Sequence, residues 1–449
     1  MLFFWKARFM KNIFFFVCLI AASQVSKAQV FPYCKPGLFS EQTYYSDISI
    51  THDLNVIYGS NLTFQGNPID LALDIHYPNL LIDPLPLRPA IILLHGGGFV
   101  SGSKGDMTNY CVKLARAGYV AVSVDYRLGW DAIGGGGSCN GNIPQLKYAM
   151  YRAIQDVNAS IRFLVEKAGD YRIDTSNIFL VGQSEGGMTA MECAFMNQIE
   201  ADNLLAGASA DLGKIDSASN TIFNTYHLKG IVNWCGAALD TNMIGNDQAI
   251  PLLSIHGLLD SIMPIEFGTY FNCQNANNPY PNLYGPKSIY KRMKNKGICT
   301  EANFDASGSH CFFPSLEETV YIPAKFTCFI KNLLCGNCTT ESKVSYNQKS
   351  CVESAPVGTA EMWNPIDLQI FPNPVENNIQ ISALLNSSES ISIEMFDMTG
   401  KAVATLFVGR AGAGDFKRSF VIPDGISKGM YFLKISVEEK QINKRILIQ

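Results

Sequence analysis

Between residues 69 and 334 the chain alternates short apolar, β-branched runs with longer stretches in which apolar residues recur every three or four positions. The short runs are IDLALDIHYP (69–78), AIILLHGGGF (90–99), YVAVSVDYR (119–127), NIFLVGQS (177–184), GIVNWCG (230–236), IPLLSIHG (250–257) and EANFDAS (301–307). Helical spacing follows over 105–117, 144–168, 185–198, 286–296 and 315–334. Strands that lack polar alternation are expected to be buried on both faces, and strands alternating with helices require crossover connections. The pattern predicts an α/β fold with a mostly parallel sheet covered by helices on both faces.

The pattern then changes. Residues 339–365 are polar and aperiodic, as a linker is. From 366 to 449 the chain reads LQIFPNP, NIQISAL, SISIEMFDMTG, AVATLFV, KRSFVIP, GMYFLKISV and KRILIQ, with Gly, Pro and Asn between the runs. Strands of this length and alternation predict a small antiparallel β-sandwich. It holds no His and no Cys, so chemistry is expected in the first unit.

At the other end, a basic stretch, an apolar run from Ile13 to Ala22 and the small-x-small string Ser26-Lys27-Ala28 have the form of a secretory signal peptide over residues 1–28. Met10 would serve as a start as well as Met1 does. The run is too short to span a bilayer, and no later segment is long and apolar enough to do so. Domain boundaries of 1–28, 29–338, 339–365 and 366–449 follow. A net charge of -4 without a Lys/Arg stripe gives no electrostatic case for nucleic acid. Of 13 Cys, 12 remain after the signal peptide, an even number that in an exported chain points to disulfides. Cys335-x-x-Cys338 has no second C-x-x-C or His pair beside it, so no metal is expected. A bridge between Cys299 and Cys311 would stiffen the segment between them.

Candidate chemistry centres on GQSEGG, where Ser184 leaves a strand and enters a helix between glycines. Such a turn lifts a hydroxyl out of the sheet edge, and a side chain at the flanking positions would clash. An oxyanion needs donors, and the N–H groups of Gly97, Gly98 and Glu185 can supply them from a strand-end Gly loop and a helix start. A Ser nucleophile needs a base. Of six His, only His310 lies on a small-residue loop between a late strand and the last helix. The orienting carboxylate is expected at Asp260, after IPLLSIHG, with Asp240 and Glu266 as alternatives. Asp260 could also cap the turn that follows it. Trp130 and the glycine loop at 134–142 leave the strand YVAVSVDYR at the same sheet edge and are expected to wall the substrate pocket. Insertions at 200–227 and 271–285 could form a partial lid.

The combination of HGGGF, VDYRLG, QDVNASIRFLVEKAGDYRIDTSNIFLVGQSEGG, the H-G-x-x-D turn and the Gly-Ser-His loop resembles the α/β-hydrolases, in particular the carboxylesterase and hormone-sensitive-lipase branches. The resemblance covers about residues 50–335. It implies an eight-stranded sheet, acyl-enzyme chemistry on esters and no cofactor. The substrate could be a small molecule, an acylated polysaccharide or a lipid. IFPNPVENNIQI, MFDMTGKAV and ISKGMYFLKISVEEKQINKRILIQ resemble the C-terminal sorting domain of type IX secretion substrates. That implies the type IX machinery as partner and a secreted or surface-attached product. Three alternatives stand beside these readings: a prolyl-oligopeptidase-like peptidase, an inactive surface-binding protein on the same fold, and a carbohydrate-binding role for the tail.

Overall fold

A computed structural model describes residues 32–344 except 41–42, 134–138, 246–247, 276 and 314–317. It also describes Cys351 and residues 369–449 except 386–388, 398–400, 413 and 438–439. The expected signal peptide and most of the expected linker lie outside the described residues. The described residues fall into two compact units, which divide between Asn347 and Gln348.

The strands of the first unit are β1 (Ile50–Leu62), β2 (Pro68–Pro78), β3 (Arg88–Leu94), β4 (Val120–Val124), β5 (Ile173–Gln183), β6 (Leu228–Trp234), β7 (Leu252–Gly257), β8 (Phe267–Thr269), β9 (Asn282–Tyr284), β10 (Thr300–Asp305) and β11 (Glu341–Val344). All but the β8–β9 hairpin join one sheet in the order β1-β2-β4-β3-β5-β6-β7-β10-β11. Pairing is antiparallel at β1–β2 and β2–β4 and parallel from β4 onward. The eight-stranded expectation is thus exceeded by one. Two strands are absent from the sequence reading for a physical reason: β1 is largely solvent-facing and mixes Asn, Asp and Gly into its run, and β11 is four residues of polar alternation at the sheet edge. β11 lies inside the stretch expected to be linker.

Helices are α1 (Thr108–Ala117), α2 (Ile143–Glu166), α3 (Ala168–Tyr171), α4 (Glu185–Phe195), α5 (Gln198–Leu204), α6 (Ala208–Leu212), α7 (Pro286–Asn295) and α8 (Glu318–Leu334). Two hydrophobic clusters sandwich the sheet. Side chains of α2, α4 and α7 pack one face; those of α1 and α8, with Tyr33 and Phe39, pack the other. Strands β3, β4 and β7 are buried along their whole length, as their unbroken apolar runs require.

Cysteines pair as Cys34–Cys335, Cys139–Cys273, Cys235–Cys311 and Cys299–Cys338. A Cys299–Cys311 bridge is therefore corrected, because each partner faces an element distant in sequence. Cys111 and Cys193 remain thiols. They sit on α1 and α4, where burial pushes the thiols up.

The second unit has the strands β12 (Gln369–Phe371), β13 (Asn378–Leu385), β14 (Glu389–Phe396), β15 (Ala402–Ala411), β16 (Gly414–Val421), β17 (Gly429–Val437) and β18 (Lys440–Ile448). They form antiparallel sheets of order β12-β13-β16 and β15-β14-β17-β18. Ile379, Ile381 and Phe416 of one sheet meet Ile393, Leu433 and Ile446 of the other in a single core, the sandwich that its alternation predicts.

Candidate active site

The parallel strands all deliver their carboxyl ends to one edge, and the site assembles there. β5 ends at Gln183 and α4 begins at Glu185, so one residue must turn the chain. Ser184 does so at φ 56°, ψ −121°, a left-handed conformation that costs a non-glycine residue energy. Glycines make the turn possible. A Cβ at Gly182 would strike the Gly186 backbone, and one at Gly186 would strike the carbonyls of Leu94 and His95. The Ser184 N–H donates to the Trp234 carbonyl at 2.8 Å, and the side chain is left 7 % exposed at the strand edge.

Three predicted residues converge. The Ser184 hydroxyl lies 2.8 Å from His310 Nε2, and His310 Nδ1 lies 2.8 Å from Asp260 Oδ2. An ionised carboxylate only accepts, so the Nδ1–H donates to Asp260 and Nε2 keeps a lone pair toward the hydroxyl. Asp260 divides its oxygens. Oδ1 accepts the N–H groups of Ile262 and Met263 at 2.8 and 2.9 Å, closing the turn, while Oδ2 faces the imidazole. Asp240 instead caps the turn Thr241–Met243 through the Asn242 N–H at 2.8 Å.

A fourth residue, expected only as the end of a strand, joins them. His256 Nε2 lies 3.1 Å from Asp260 Oδ2, fully buried at the end of β7. Its spacing of four residues before Asp260 was the available signal. Burial opposes ionisation of Asp260, but hydrogen bonds from His256 and His310 outweigh it and hold its carboxyl well below the usual carboxylate range.

On the other side of Ser184 the Gly loop follows β3. Gly97 and Gly98 have φ of 128° and 67°, which glycine adopts freely. The Tyr126 hydroxyl donates to the His95 carbonyl at 2.7 Å, and the Tyr126 ring stacks on His95 at 4.4 Å. Trp130 is nearly buried and its indole N–H donates to the Gly98 carbonyl at 2.8 Å, so it braces the loop from behind. Of the loop expected beside it, 134–138 lie outside the described residues. Residues 139–141 pack on the second insertion: Cys139 bridges Cys273, and the Gly141 N–H donates to the Tyr280 hydroxyl at 3.0 Å. Phe271 of that insertion stacks toward Trp130 at 6.5 Å, and a Cβ on Gly98 would lie 3.7 Å from its ring. The insertion at 271–285 thus stands over the Gly loop. The one at 200–227 does not: Gln155, Asn158 and Arg162 of α2 donate to carbonyls of Leu212, Ile215 and Ala218, strapping it along that helix. A separate cleft of about 490 Å³, lined in part by Leu62, Phe64, Tyr148 and Arg152, contains none of the residues around Ser184.

Glu185 is fully buried below the Gly loop. One carboxyl oxygen accepts a long hydrogen bond from the Phe99 N–H at 3.5 Å, and the other has no hydrogen-bond partner among the described residues. Burial pushes this carboxyl above its ordinary value, while the nearby amides of Gly98 and Glu185, the Ser184 hydroxyl and His95 pull the other way. Two of the three expected oxyanion donors, the Gly98 and Glu185 N–H groups, therefore share their surroundings with a buried acid. Cys235, His310 and Cys311 place three possible ligand atoms within 4.8 Å of one another, with the two sulfurs joined as a disulfide.

Residues 73–250 match the BD-FAE family model, and residues 369–449 match the secretion system C-terminal sorting domain. The first unit has the α/β-hydrolase fold, and the BD-FAE match covers its residues 73–250. Curated relatives match over part of the chain. An ethyl acetate hydrolase of Pseudomonas putida is 34% identical over 125 residues, 28% of this chain and 34% of the relative. A non-reducing polyketide synthase of Penicillium brasilianum is 32% identical over 165 residues, 36% of this chain and 6% of the synthase. The chain thus spans only a small part of the length of such relatives. Solved structures similar to it include a truncated carbohydrate esterase from gut microbiota, 20% identical with a TM-score of 0.41 over 65% of this chain and 98% of that one. Another is esterase 2 of Thermogutta terrifontis, 18% identical with a TM-score of 0.42 over 66% of this chain and 98% of that one. The sorting tail marks the hydrolase for export by type IX secretion to the cell surface or outside. No helix among the described residues is long and apolar enough to cross a membrane.

Proposed function

We propose that this chain is an exported serine-dependent carboxylic ester hydrolase that works through an acyl-enzyme. The observation that carries the reading is the unbroken hydrogen-bond chain Ser184–His310–Asp260, hinged on a Ser in a left-handed strand-to-helix turn. In this reading His310 Nε2 takes the Ser184 proton as Oγ attacks the ester carbonyl. Asp260 holds the ring and stabilises its charged form. The N–H groups of Gly97, Gly98 and Glu185 receive the oxyanion. His310 then gives its proton to the leaving alcohol, and water, deprotonated by the same nitrogen, frees the acyl group. Trp130 positions the Gly98 peptide. The mature protein is proposed to begin after residue 28, with hydrolase chemistry confined to 29–338 and sorting to 366–449.

The test uses p-nitrophenyl acyl esters of increasing chain length beside dipeptidyl substrates, with wild type and Ser184→Ala. Ester turnover is expected to fall by about 10⁴-fold or more in the variant, because removal of a triad member leaves only binding and the oxyanion hole. Turnover surviving the substitution would sink the mechanism. Cleavage confined to the dipeptidyl substrates would make the protein a peptidase.

A further inference from the structure

Two half-cystines sit one residue from the parts that the proposed reaction depends on. Cys235 follows Trp234, whose carbonyl accepts the Ser184 N–H at 2.8 Å; Cys311 follows His310. Their disulfide joins the floor of the nucleophile turn to the loop that bears the imidazole. Both residues are held at positive φ, 54° and 52°, where a non-glycine residue persists only if its surroundings impose it. The Gly308 carbonyl accepts the Leu259 N–H at 2.8 Å, and Ser309 and Phe312 exchange backbone bonds at 3.0 and 3.4 Å, so the loop folds on itself and is tied to the turn before Asp260.

The same atoms suit another state. Cys311 Sγ lies 3.7 Å from His310 Nε2, and all three donor atoms lie within 4.8 Å of one another. Tetrahedral zinc with Zn–S of about 2.3 Å and Zn–N of about 2.0–2.1 Å separates sulfur from nitrogen by roughly 3.5 Å. One edge of such a site is therefore already built, and only the Cys235 sulfur has to move away from its partner. Two thiolates and an imidazole favour zinc over magnesium or calcium. We propose that Cys235–Cys311 is a redox-controlled clamp on His310: oxidised, it holds the imidazole on Ser184; reduced, it forms with His310 a three-donor zinc site that takes the imidazole away. The inference rests on the reading of His310 as the base.

The chemistry balances. A small dithiol delivers two electrons and two protons, breaks the sulfur–sulfur bond, leaves two Cys thiols and itself becomes a disulfide. Zinc then displaces the two thiol protons and binds the Nε2 lone pair, the same pair that would accept the Ser184 proton. Hydrolysis is thereby restricted to oxidising surroundings, which suits a chain sorted for export.

The experiment uses the full chain and p-nitrophenyl acetate. Oxidised protein should be indifferent to one equivalent of zinc. After reduction by a dithiol and anaerobic desalting, kcat should fall about ten- to a hundredfold, the scale of a base misplaced by about an ångström. One zinc per chain should then bind and remove the remaining activity. A chelator should restore the reduced rate, and reoxidation the full rate. The other disulfides also reduce, so Cys235→Ser/Cys311→Ser separates them: it should start at the reduced rate and respond to neither dithiol nor zinc. Cobalt added to reduced wild type supplies a readout independent of that variant's folding, an intense thiolate-to-cobalt absorption band. Absence of that band, equal zinc inhibition of the double variant, or an unchanged rate after reduction would each overturn the clamp. Failure of the underlying reading looks different: His310→Ala would hydrolyse the ester as oxidised wild type does.

Discussion

Two buried carboxyls flank Ser184, and they are pushed in opposite directions. Asp260 lies on the His310 side and receives two backbone N–H groups and two imidazoles, so hydrogen bonding overcomes burial and keeps it charged. Glu185 lies on the Gly-loop side with one long bond and one oxygen unmet, so burial prevails and its proton is held more tightly. Both side chains are closed to solvent, but Glu185 lies deeper and meets fewer donors. In the proposed mechanism, charge is thus fixed where a developing imidazolium would need it and suppressed where a developing oxyanion would be repelled by it.

The sharpest way to break this contrast is Asp260→Asn. An amide can present N–H to Nδ1 and impose the wrong tautomer on His310, so kcat is expected to drop by about 10⁴-fold with KM little changed, measured on p-nitrophenyl esters. A drop of less than tenfold would mean that Asp260 does not orient the base. Next comes Trp130→Phe, which keeps the ring but removes the donor to the Gly98 carbonyl. Loss of one such bond is worth about 1 kcal/mol, so kcat should fall about five- to tenfold while KM barely moves. A change confined to KM would make Trp130 a wall of the substrate pocket rather than a brace of the loop.

Glu185→Gln preserves shape and the acceptor for Phe99 while deleting the ionisable proton. Wild type should lose activity on the alkaline side as Glu185 ionises against the oxyanion; the variant should lose that limb and stay within a few-fold of wild type at neutral pH. Identical pH profiles would show that Glu185 does not sense the oxyanion. The smallest effect is on stability. Glu192 of α4 is fully buried, accepts the Leu239 N–H at 2.9 Å with one oxygen and leaves the other unmet. Burial raises its pKa from 4.5 to about 8. The folded chain then holds a proton that the unfolded chain has released, so stability falls as pH rises from about 4.5 through about 8. Denaturant melts of Glu192→Gln should match wild type at the acid end of that window and exceed it at the alkaline end.

Much of the first unit was legible because local patterns and chain order are strong there. Unbroken apolar runs gave the central strands, and G-x-S-x-G, a Gly loop, Asp260 and His310 each fell at a predicted strand end, where side chains of an α/β sheet converge. The residues that were not legible share a cause. His256 belonged to a strand, and the meaning of its spacing to Asp260 depends on the turn between them. That the Trp130 indole N–H meets the Gly98 carbonyl depends on how the segment after β4 packs on the Gly loop. Of the two insertions, 271–285 is stapled over the Gly loop by Cys139–Cys273, while 200–227 is drawn along α2 by polar side chains that could as well have faced water.

By itself the sequence determined the two-unit plan, the α/β architecture, the export signature and the residue types of the proposed triad, because periodicity and motif spacing are properties of the chain. Only the tertiary structure decided which cysteines pair, which insertion reaches the site, that His256 joins Asp260, and that Glu185 is a buried acid short of donors. Those outcomes depend on which groups distant in sequence meet and on how many hydrogen bonds survive burial, and neither is written in the order of residues.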